Sequence, residues 1–156
     1  STGILNVQFT PMGRLLCGGT NRGWPVRGIK PFALERLDWT GKMPFEIKSI
    51  NITGNGFRIT FTKPLNRATG NNIKSYKIAA FTHNYHSGYG GPEVDLNNPV
   101  VKSVELAPDG RSSRIVLSKL KTGFVHEFDL GALRDRDNGD LLHHNAYYTV
   151  NEVPKG

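Results

Sequence analysis

The chain has 156 residues, of which 37% are hydrophobic and 10% aromatic, and its 20 Lys and Arg exceed its 13 Asp and Glu to give a formal charge of +7. This length suits one domain, or one domain with an appendage, and the apolar residues that recur throughout exclude a disordered chain. No apolar run approaches the roughly 18 residues that would span a membrane, and the single cysteine, Cys17, excludes an intramolecular disulfide.

The first elements predicted along the chain are strands. Apolar residues alternate with polar ones over 5–9, and a Pro-Met-Gly turn at 11–13 leads into a second strand over 14–17. Residues 18–31 are rich in Gly and Pro and are predicted to form a loop. A third short strand is predicted over 33–39.

From residue 44 onward the alternation becomes regular. A hairpin is predicted over 45–61, because apolar residues at 57, 59 and 61 alternate with polar ones after a Gly-rich turn. Residues 83–98 are polar, aromatic and Gly-rich and are predicted as the longest irregular stretch. Further strands are predicted at 76–80, 100–106, 114–120, 124–130 and 147–150. About seven short strands with frequent turns predict an all-β fold, an Ig-like antiparallel β-sandwich with an N-terminal β-hairpin segment.

A change in charge density predicts a domain boundary near residue 43. Residues 1–43 carry six basic and two acidic side chains, a net charge of +4, whereas residues 44–156 carry fourteen and eleven, a net charge of +3. Three strands and a long loop bury too little surface to form a core of their own. The prediction is therefore a hairpin and loop segment over 1–43 followed by a sandwich over 44–156.

Both segments resemble parts of a known protein family. The run VQFTPMGRLLCGG at 7–19, with residues 21–24 and 34–37, resembles the end of the β-propeller in bacterial glucose/sorbosone dehydrogenase-like proteins. Residues 44–152 resemble the Ig-like domain that follows such propellers. Three motifs carry this second match: 57–65, 75–78 and 133–141.

The resemblance implies a piece of a larger bacterial protein, secreted or periplasmic, with an upstream propeller domain or a partner chain. Dehydrogenases of the family hold their quinone and their catalytic groups in propeller blades upstream of this region. No residue here matches those positions, so the resemblance implies no catalytic residue and no cofactor in this chain. A truncated blade would also leave an open strand edge, which another domain or chain must cover.

The candidate ligand-binding site is a loop over 82–95 that holds two tyrosines, two histidines and two carboxylates. Carbohydrate recognition needs flat apolar faces for sugar C–H groups and planar polar groups for hydroxyls, and loops on a rigid sandwich commonly bind ligands. The residues predicted to bind are Trp24, Asn84, Tyr85, His86, Tyr89, Glu93 and Asp95. The alternative is a packed Ω-loop whose tyrosines fill its own interior. For Trp24 the alternative is a structural role at the junction between the two segments.

Motifs typical of serine hydrolases, zinc proteases and P-loop NTPases are absent, and no catalytic residue is predicted. Glu93 and Asp95, two apart on a strand, would share a face at about 7 Å, a spacing compatible with glycosidase carboxylates but common by chance. Scattered basic residues without a recognised motif argue against a nucleic-acid partner.

Metal binding has two candidate positions, and neither leads to a predicted metal site. His83 and His86 would bind a transition metal only if further ligands converge on them. The segment 135–140 resembles a calcium loop, but its glycine is fifth rather than sixth, so a turn set by Asn138-Gly139 is favoured.

The sequence thus predicts a non-catalytic accessory or binding module of an exported carbohydrate-active or sugar-dehydrogenase-like protein. It would contact a polysaccharide or oligosaccharide through the 83–95 loop. One alternative is a structural spacer or docking domain with no small ligand, and a second is a fragment of a sugar-oxidising enzyme. Exposed faces on Tyr85, Tyr89 or Trp24 would favour binding over the spacer.

Overall fold

The computed structural model describes residues 2–21, 28 and 30–155. Contacts divide the chain into two compact units, Ser1–Lys42 and Met43–Gly156, named unit 1 and unit 2 below. Antiparallel strands dominate the described residues, which confirms the all-β prediction. Among these residues, no helix has the length and apolar character needed to cross a membrane.

Unit 1 is a three-stranded antiparallel sheet in the order β1-β2-β3. Its strands are Ile4–Phe9, Leu15–Thr20 and Phe32–Leu37. Gly13, with a φ of +75°, closes the first turn as the sequence predicts. Gly18 and Gly19, by contrast, were expected in a loop and instead continue β2, where they pair with both neighbours. A side chain at Gly19 would meet the Gly3 carbonyl oxygen at 2.0 Å, so glycine here permits close strand approach.

Unit 2 is a sandwich of two four-stranded antiparallel sheets. The first has the order β4-β5-β9-β8, formed by Ile47–Thr53, Gly56–Phe61, Ser112–Leu117 and Val101–Leu106. The second has the order β11-β10-β6-β7, formed by Asn145–Val150, Phe124–Asp129, Lys77–His83 and Glu93–Asn97. This order matches the ABED and CFG sheets of immunoglobulin domains, with β7 added beside the C strand. The Ig-like sandwich is therefore confirmed.

The core of unit 2 lies between these sheets, because alternate residues of both point inward. In β5, Phe57, Ile59 and Phe61 are buried, and in β10 the inward positions include Phe128, which contacts Phe57 edge-to-face at 5.0 Å between ring centroids. Other core side chains come from the remaining strands and connections: Phe45, Leu65, Tyr76, Ile78, Val101, Ile115, Leu117, Leu130, Leu133, Leu141 and Val150.

The connection from β5 to β6 contains a short helix, α1, at Arg67–Gly70, followed by a 3-10 turn at Ile73–Ser75. The Asn66 side chain accepts a hydrogen bond from the Ala68 amide at 2.9 Å and so caps α1. Tyr76 anchors the connection, because its hydroxyl donates to the Gly70 carbonyl at 2.7 Å. Burial raises the pKa of Tyr76 to about 12, so the hydroxyl stays a donor.

The strand β7 lies inside the stretch that was expected to be irregular. It pairs only with β6, through His83↔Glu93, Thr82↔Val94 and Ala80↔Asn97. Its five residues include Glu93 and Asp95 of the predicted site, and four of the five are exposed. An exposed edge strand lacks the clear apolar alternation that marks buried strands, which explains why the sequence pattern misses it.

Candidate functional site

The loop over 84–92 joins β6 to β7 and carries most of the predicted site. Its ends meet where His83 pairs with Glu93. The Nδ1 atom of His83 lies 3.1 Å from the Pro92 carbonyl oxygen. Since that oxygen can only accept, Nδ1 carries the proton and donates. The base of the loop is therefore closed by backbone pairing and by one side-chain hydrogen bond.

The interior of the loop is organised around the imidazole of His86. The amide of Gly88 donates to His86 Nδ1 at 3.1 Å. A Cβ atom at Gly88 would lie 3.1 Å from that nitrogen, and one at Gly91 would lie 2.9 Å from His86 Nε2. These glycines thus allow the backbone to close around the ring, and His86 acts as an ordering residue of the loop.

Tyr85 and Tyr89 point away from the loop interior. Their relative exposures are 104% and 109%, which is complete exposure. The alternative in which these tyrosines fill the inside of a packed Ω-loop is therefore wrong. Two fully exposed aromatic rings on a loop with a closed base provide contact area without prior burial, and their role in binding stays a prediction.

The structure brings together only part of the predicted site. A shallow cavity of about 390 Å³ is lined by His83, Asn84, Tyr85 and His86 together with glycines of the loop. The lining does not include Tyr89, Glu93 or Asp95. Trp24 lies outside the described residues, so its predicted role stays a prediction.

A β-bulge in β7 includes Asp95, one of the two carboxylates of the predicted site. Between the pairs Thr82↔Val94 and Ala80↔Asn97 the register shifts, and β7 has one more residue than β6 in this interval. Asp95 lies in this bulge and adopts the left-handed backbone conformation, with a φ of +56°. The expectation that Glu93 and Asp95 share one face assumes regular pairing, which the bulge interrupts.

Asp95 instead borders a second cavity, of about 450 Å³, at the β7 edge of the sandwich. This cavity, called the β7 cavity below, is lined by Asp95, Leu96, Asn97, Lys119, Lys121 and His126. Sequence reasoning missed the last three of these residues. A signal for His126 existed, since it alternates with Phe124 and Phe128 and so shares their inward face.

His126 is fully buried, and neither of its ring nitrogens has a hydrogen-bond partner among the described residues. Its ring contacts that of Phe57, with 5.4 Å between centroids. Burial lowers the pKa of His126, and the nearby Phe124 backbone opposes this shift only in part. The imidazole is therefore neutral at pH 7 and needs one donor and one acceptor to be satisfied.

The segment 135–140 forms a turn in which Asp135 is a structural residue. Its Oδ1 accepts hydrogen bonds from the amides of Asp137 at 3.0 Å and Gly139 at 2.7 Å. Burial by itself would raise the pKa of Asp135, but the Gly139 and Asp137 amides and the Lys63 ammonium outweigh burial and lower it. Asn138 rather than Gly139 adopts a positive φ, of +67°.

In the part of the chain that the structure describes, no group of side chains is arranged to bind a metal ion. No three or more His, Cys, Asp or Glu side chains there are placed to hold an ion. The Nδ1 atoms of His83 and His86 instead face backbone groups of their own loop. Both histidines thus have structural partners at these atoms.

Comparison with known proteins identifies the fold. No protein-family model matches this chain, and no curated protein matches it. Three solved structures do, all of the S-layer protein SbsC. They are the fragment rSbsC(31-844), with a TM-score of 0.52 and 22% identity, the N-terminal part of the bacterial protein, with 0.53 and 23%, and its domains 1-6, with 0.53 and 22%.

Each match covers 70% of this chain but only 14%, 24% and 14% of the respective SbsC chain. The chain is thus similar in fold to a minor part of those multidomain proteins. At 22–23% identity the likeness concerns the fold alone. The resemblance to glucose/sorbosone dehydrogenase-like proteins stays a prediction.

Proposed function

We propose that this chain is a non-catalytic β-sandwich module of a bacterial cell-surface protein. The observation that carries the proposal is the similarity in fold between 70% of this chain and part of an S-layer protein, with a TM-score of 0.53. A rigid sandwich that buries its apolar residues between two sheets is a suitable building block for a repeated, solvent-facing assembly. The location that follows is extracellular, at the cell surface.

The charged groups of unit 2 support a structural role. The carboxylates with lowered pKa values, Asp129 and Asp135, are both engaged in turns. Asp129 accepts from the Gly131 amide at 3.1 Å and from Lys77 at 3.3 Å. Perturbed titrations often mark active sites, but here backbone amides, together with Lys77 at Asp129 and Lys63 at Asp135, lower both pKa values.

The cell-surface proposal is tested by labelling intact cells of the organism that produces the chain. Antibodies against the chain are expected to bind unpermeabilised cells, and brief protease treatment of those cells is expected to remove the signal. A cytoplasmic protein labelled in parallel serves as the control for cell integrity. Labelling that requires permeabilisation would contradict the proposal.

A second proposed role is glycan contact through the loop at 84–92, supported by the full exposure of Tyr85 and Tyr89. Their aromatic faces offer C–H stacking surfaces, and Asn84, which lines the same cavity as Tyr85, offers a planar amide. A protein at a bacterial surface meets polysaccharides constantly, so the two roles are compatible.

The glycan proposal is tested with a glycan array and the variant Tyr85→Ala/Tyr89→Ala. We expect saturable binding that the variant weakens at least tenfold and that physiological salt leaves largely intact. Tyr147→Ala removes another exposed tyrosine, on β11, and is the matched control. Binding that vanishes with salt, or that both variants lose equally, would contradict a role for this loop.

A further inference from the structure

The β7 cavity holds the one buried histidine among the described residues, and both nitrogens of that ring lack partners. Buried polar groups in folded proteins are almost always hydrogen-bonded, so an exception calls for a ligand, a water molecule or another specific explanation. Phe57, the aromatic neighbour of His126, has no side-chain hydrogen-bonding group to offer the ring. The cavity that it borders is the place from which a partner can come.

The wall of the cavity contains side chains of opposite charge. Lys119 and Lys121 are exposed, and neither takes part in an ion pair among the described residues. Lys121 is held by the Phe124 ring, with its Nζ 3.7 Å from the ring centroid. Asp95 borders the same cavity and is likewise exposed. Two cations and one carboxylate thus surround a neutral imidazole.

The bulge in β7 fixes the carboxylate side of the cavity. The side-chain nitrogen Nδ2 of Asn97 donates to the Ala80 backbone carbonyl at 3.2 Å and to the Asp95 backbone carbonyl at 3.1 Å. This side chain therefore bridges the interval in which the register shifts. His126 and Asn97 are both paired with Ala80 in the sheet, which places them in one row across β10, β6 and β7. The site is therefore built from three adjacent strands and the β9–β10 connection.

We propose that the β7 cavity binds an acidic sugar residue, with its carboxylate between Lys119 and Lys121 and its hydroxyls toward Asp95 and His126. A hydroxyl donates to a carboxylate, and it both donates to and accepts from a neutral imidazole. A bare inorganic anion satisfies the lysines but is repelled by Asp95, whereas a neutral sugar leaves the lysines unpaired. The volume of about 450 Å³ is in the range of small-molecule sites.

Contact with the imidazole requires a small local rearrangement, because His126 has no exposed surface in the unliganded chain. Lys119 and Lys121 are both exposed and have long flexible stems, and Lys121 also contacts the Phe124 ring. Exposed rotamers change on the picosecond to nanosecond scale, so both lysine side chains can adjust to a ligand.

This inference goes beyond the proposed surface module and concerns a site separate from the two tyrosines. It is tested on the full 156-residue chain by NMR titration with a trimer of galacturonic acid, followed through the ring signals of His126. The methyl ester of the same trimer is the matched neutral probe. We expect the acid to shift the His126 signals saturably and to bind at least tenfold more tightly than the ester.

The variant Lys119→Gln/Lys121→Gln is expected to lower affinity for the acid at least tenfold. Lys102→Gln/Lys155→Gln, which removes the same charge from other exposed positions, is expected to leave affinity within twofold. Tyr85→Ala/Tyr89→Ala should bind the acid as the parent chain does, so failure of the loop proposal and failure of this one remain distinguishable.

Three outcomes would overturn the assignment. The first is no shift at His126 at any trimer concentration, which would leave the ring satisfied by water or not at all. The second is equal affinity for the acid and its ester, or equal loss in both lysine variants. The third is displacement of the trimer by inorganic phosphate at equal concentration, which would reduce the site to a general anion site.

Discussion

Units 1 and 2 use the same strand periodicity but differ in what they bury. All six residues of β1 are exposed, including Phe9 at 71%, whereas Phe57 and Ile59 of β5 have no exposed surface. Alternation of apolar and polar residues predicts a strand, but a strand buries its apolar face only when a second layer covers it. Unit 2 contains two layers of its own, and unit 1 is a single sheet.

The hydrophobic core cluster of the described residues lies in unit 2, so we expect unit 2 and not unit 1 to be stable by itself. Unit 1 buries few side chains, with Cys17 the buried hydrophobic residue among its described positions, while its exposed apolar residues are many: Ile4, Leu5, Val7, Phe9, Met12, Phe32, Leu34, Leu37 and Trp39. Apolar exposure on this scale is typical of a surface that meets another surface.

Separating the two units should have the largest effect. Residues 43–156 alone are expected to unfold cooperatively, because their core lies entirely within unit 2. Residues 1–42 alone are expected to be unfolded, because a lone three-stranded sheet of this size buries too little surface. Amide NMR dispersion and urea unfolding of both fragments measure this. A dispersed spectrum from residues 1–42 would contradict the comparison.

Truncating one phenylalanine in each unit should reproduce the contrast on a smaller scale. Phe57→Ala removes a fully buried ring that packs on Phe128 and Tyr148, and we expect a loss of about 3–5 kcal/mol in the free energy of unfolding. Phe9→Ala removes a ring that is 71% exposed, and we expect a change within about 0.5 kcal/mol. Urea unfolding measures both. Equal losses would show that Phe9 is buried in solution.

The strands of the sandwich could be predicted from the sequence where the two faces of a sheet differ from each other in polarity. The alternation at 57–61 and 124–130 is of this kind, because one face packs on the core and the other meets water. The pattern failed at β7, an exposed edge strand, and at Gly18-Gly19, of which Gly19 lies too close to the Gly3 backbone for any side chain. Gly56 belongs to the same class, since a Cβ there would meet the Ile115 carbonyl oxygen at 1.9 Å.

The candidate site was less predictable, because its geometry depends on contacts between distant residues. The loop and its aromatic composition could be identified from local sequence, but the exposure of Tyr85 and the bulge at Asp95 could not. A bulge reverses which side chains share a face, and local sequence does not encode it. The pairing of β10, β6 and β7 brings His126 and Asp95 to one cavity, and the β9–β10 connection adds Lys119.

Within unit 2, Asp135→Asn should weaken the turn at 135–139. The variant keeps one oxygen to accept from the Asp137 and Gly139 amides, but it removes the charge and replaces Oδ2, which accepts from Lys63 at 3.4 Å, with an N–H₂ group. We expect a loss of about 1–3 kcal/mol at pH 7. Because the folded pKa of Asp135 lies below its unfolded value, its contribution is complete above the unfolded pKa and is lost as pH falls through the folded one.

The difference in stability between parent and Asp135→Asn should therefore shrink as urea unfolding is repeated from pH 5 down to pH 2. Asp137→Asn is the matched control, because this neighbouring carboxylate is exposed and its predicted loss is within about 0.5 kcal/mol. A difference between parent and Asp135→Asn that is independent of pH would mean that the carboxylate's charge does not stabilise the turn.

The smallest expected effect is the pH dependence contributed by His126. Burial lowers its folded pKa, so the unfolded chain takes up a proton at a higher pH than the folded chain does. The ring lies beside Phe57 and Tyr148 on the core side, and Lys119, Lys121 and Asp95 line the same cavity. Stability is then complete above the unfolded value and falls as pH drops below about 6.5, by at most about 1.4 kcal/mol per pH unit. His126→Leu should remove this part of the slope between pH 7.5 and 5.5, while His86→Gln, in the exposed loop, should retain it. An unchanged slope in His126→Leu would mean that the ring has the same pKa in the folded and unfolded chains, which would contradict the shift that burial causes.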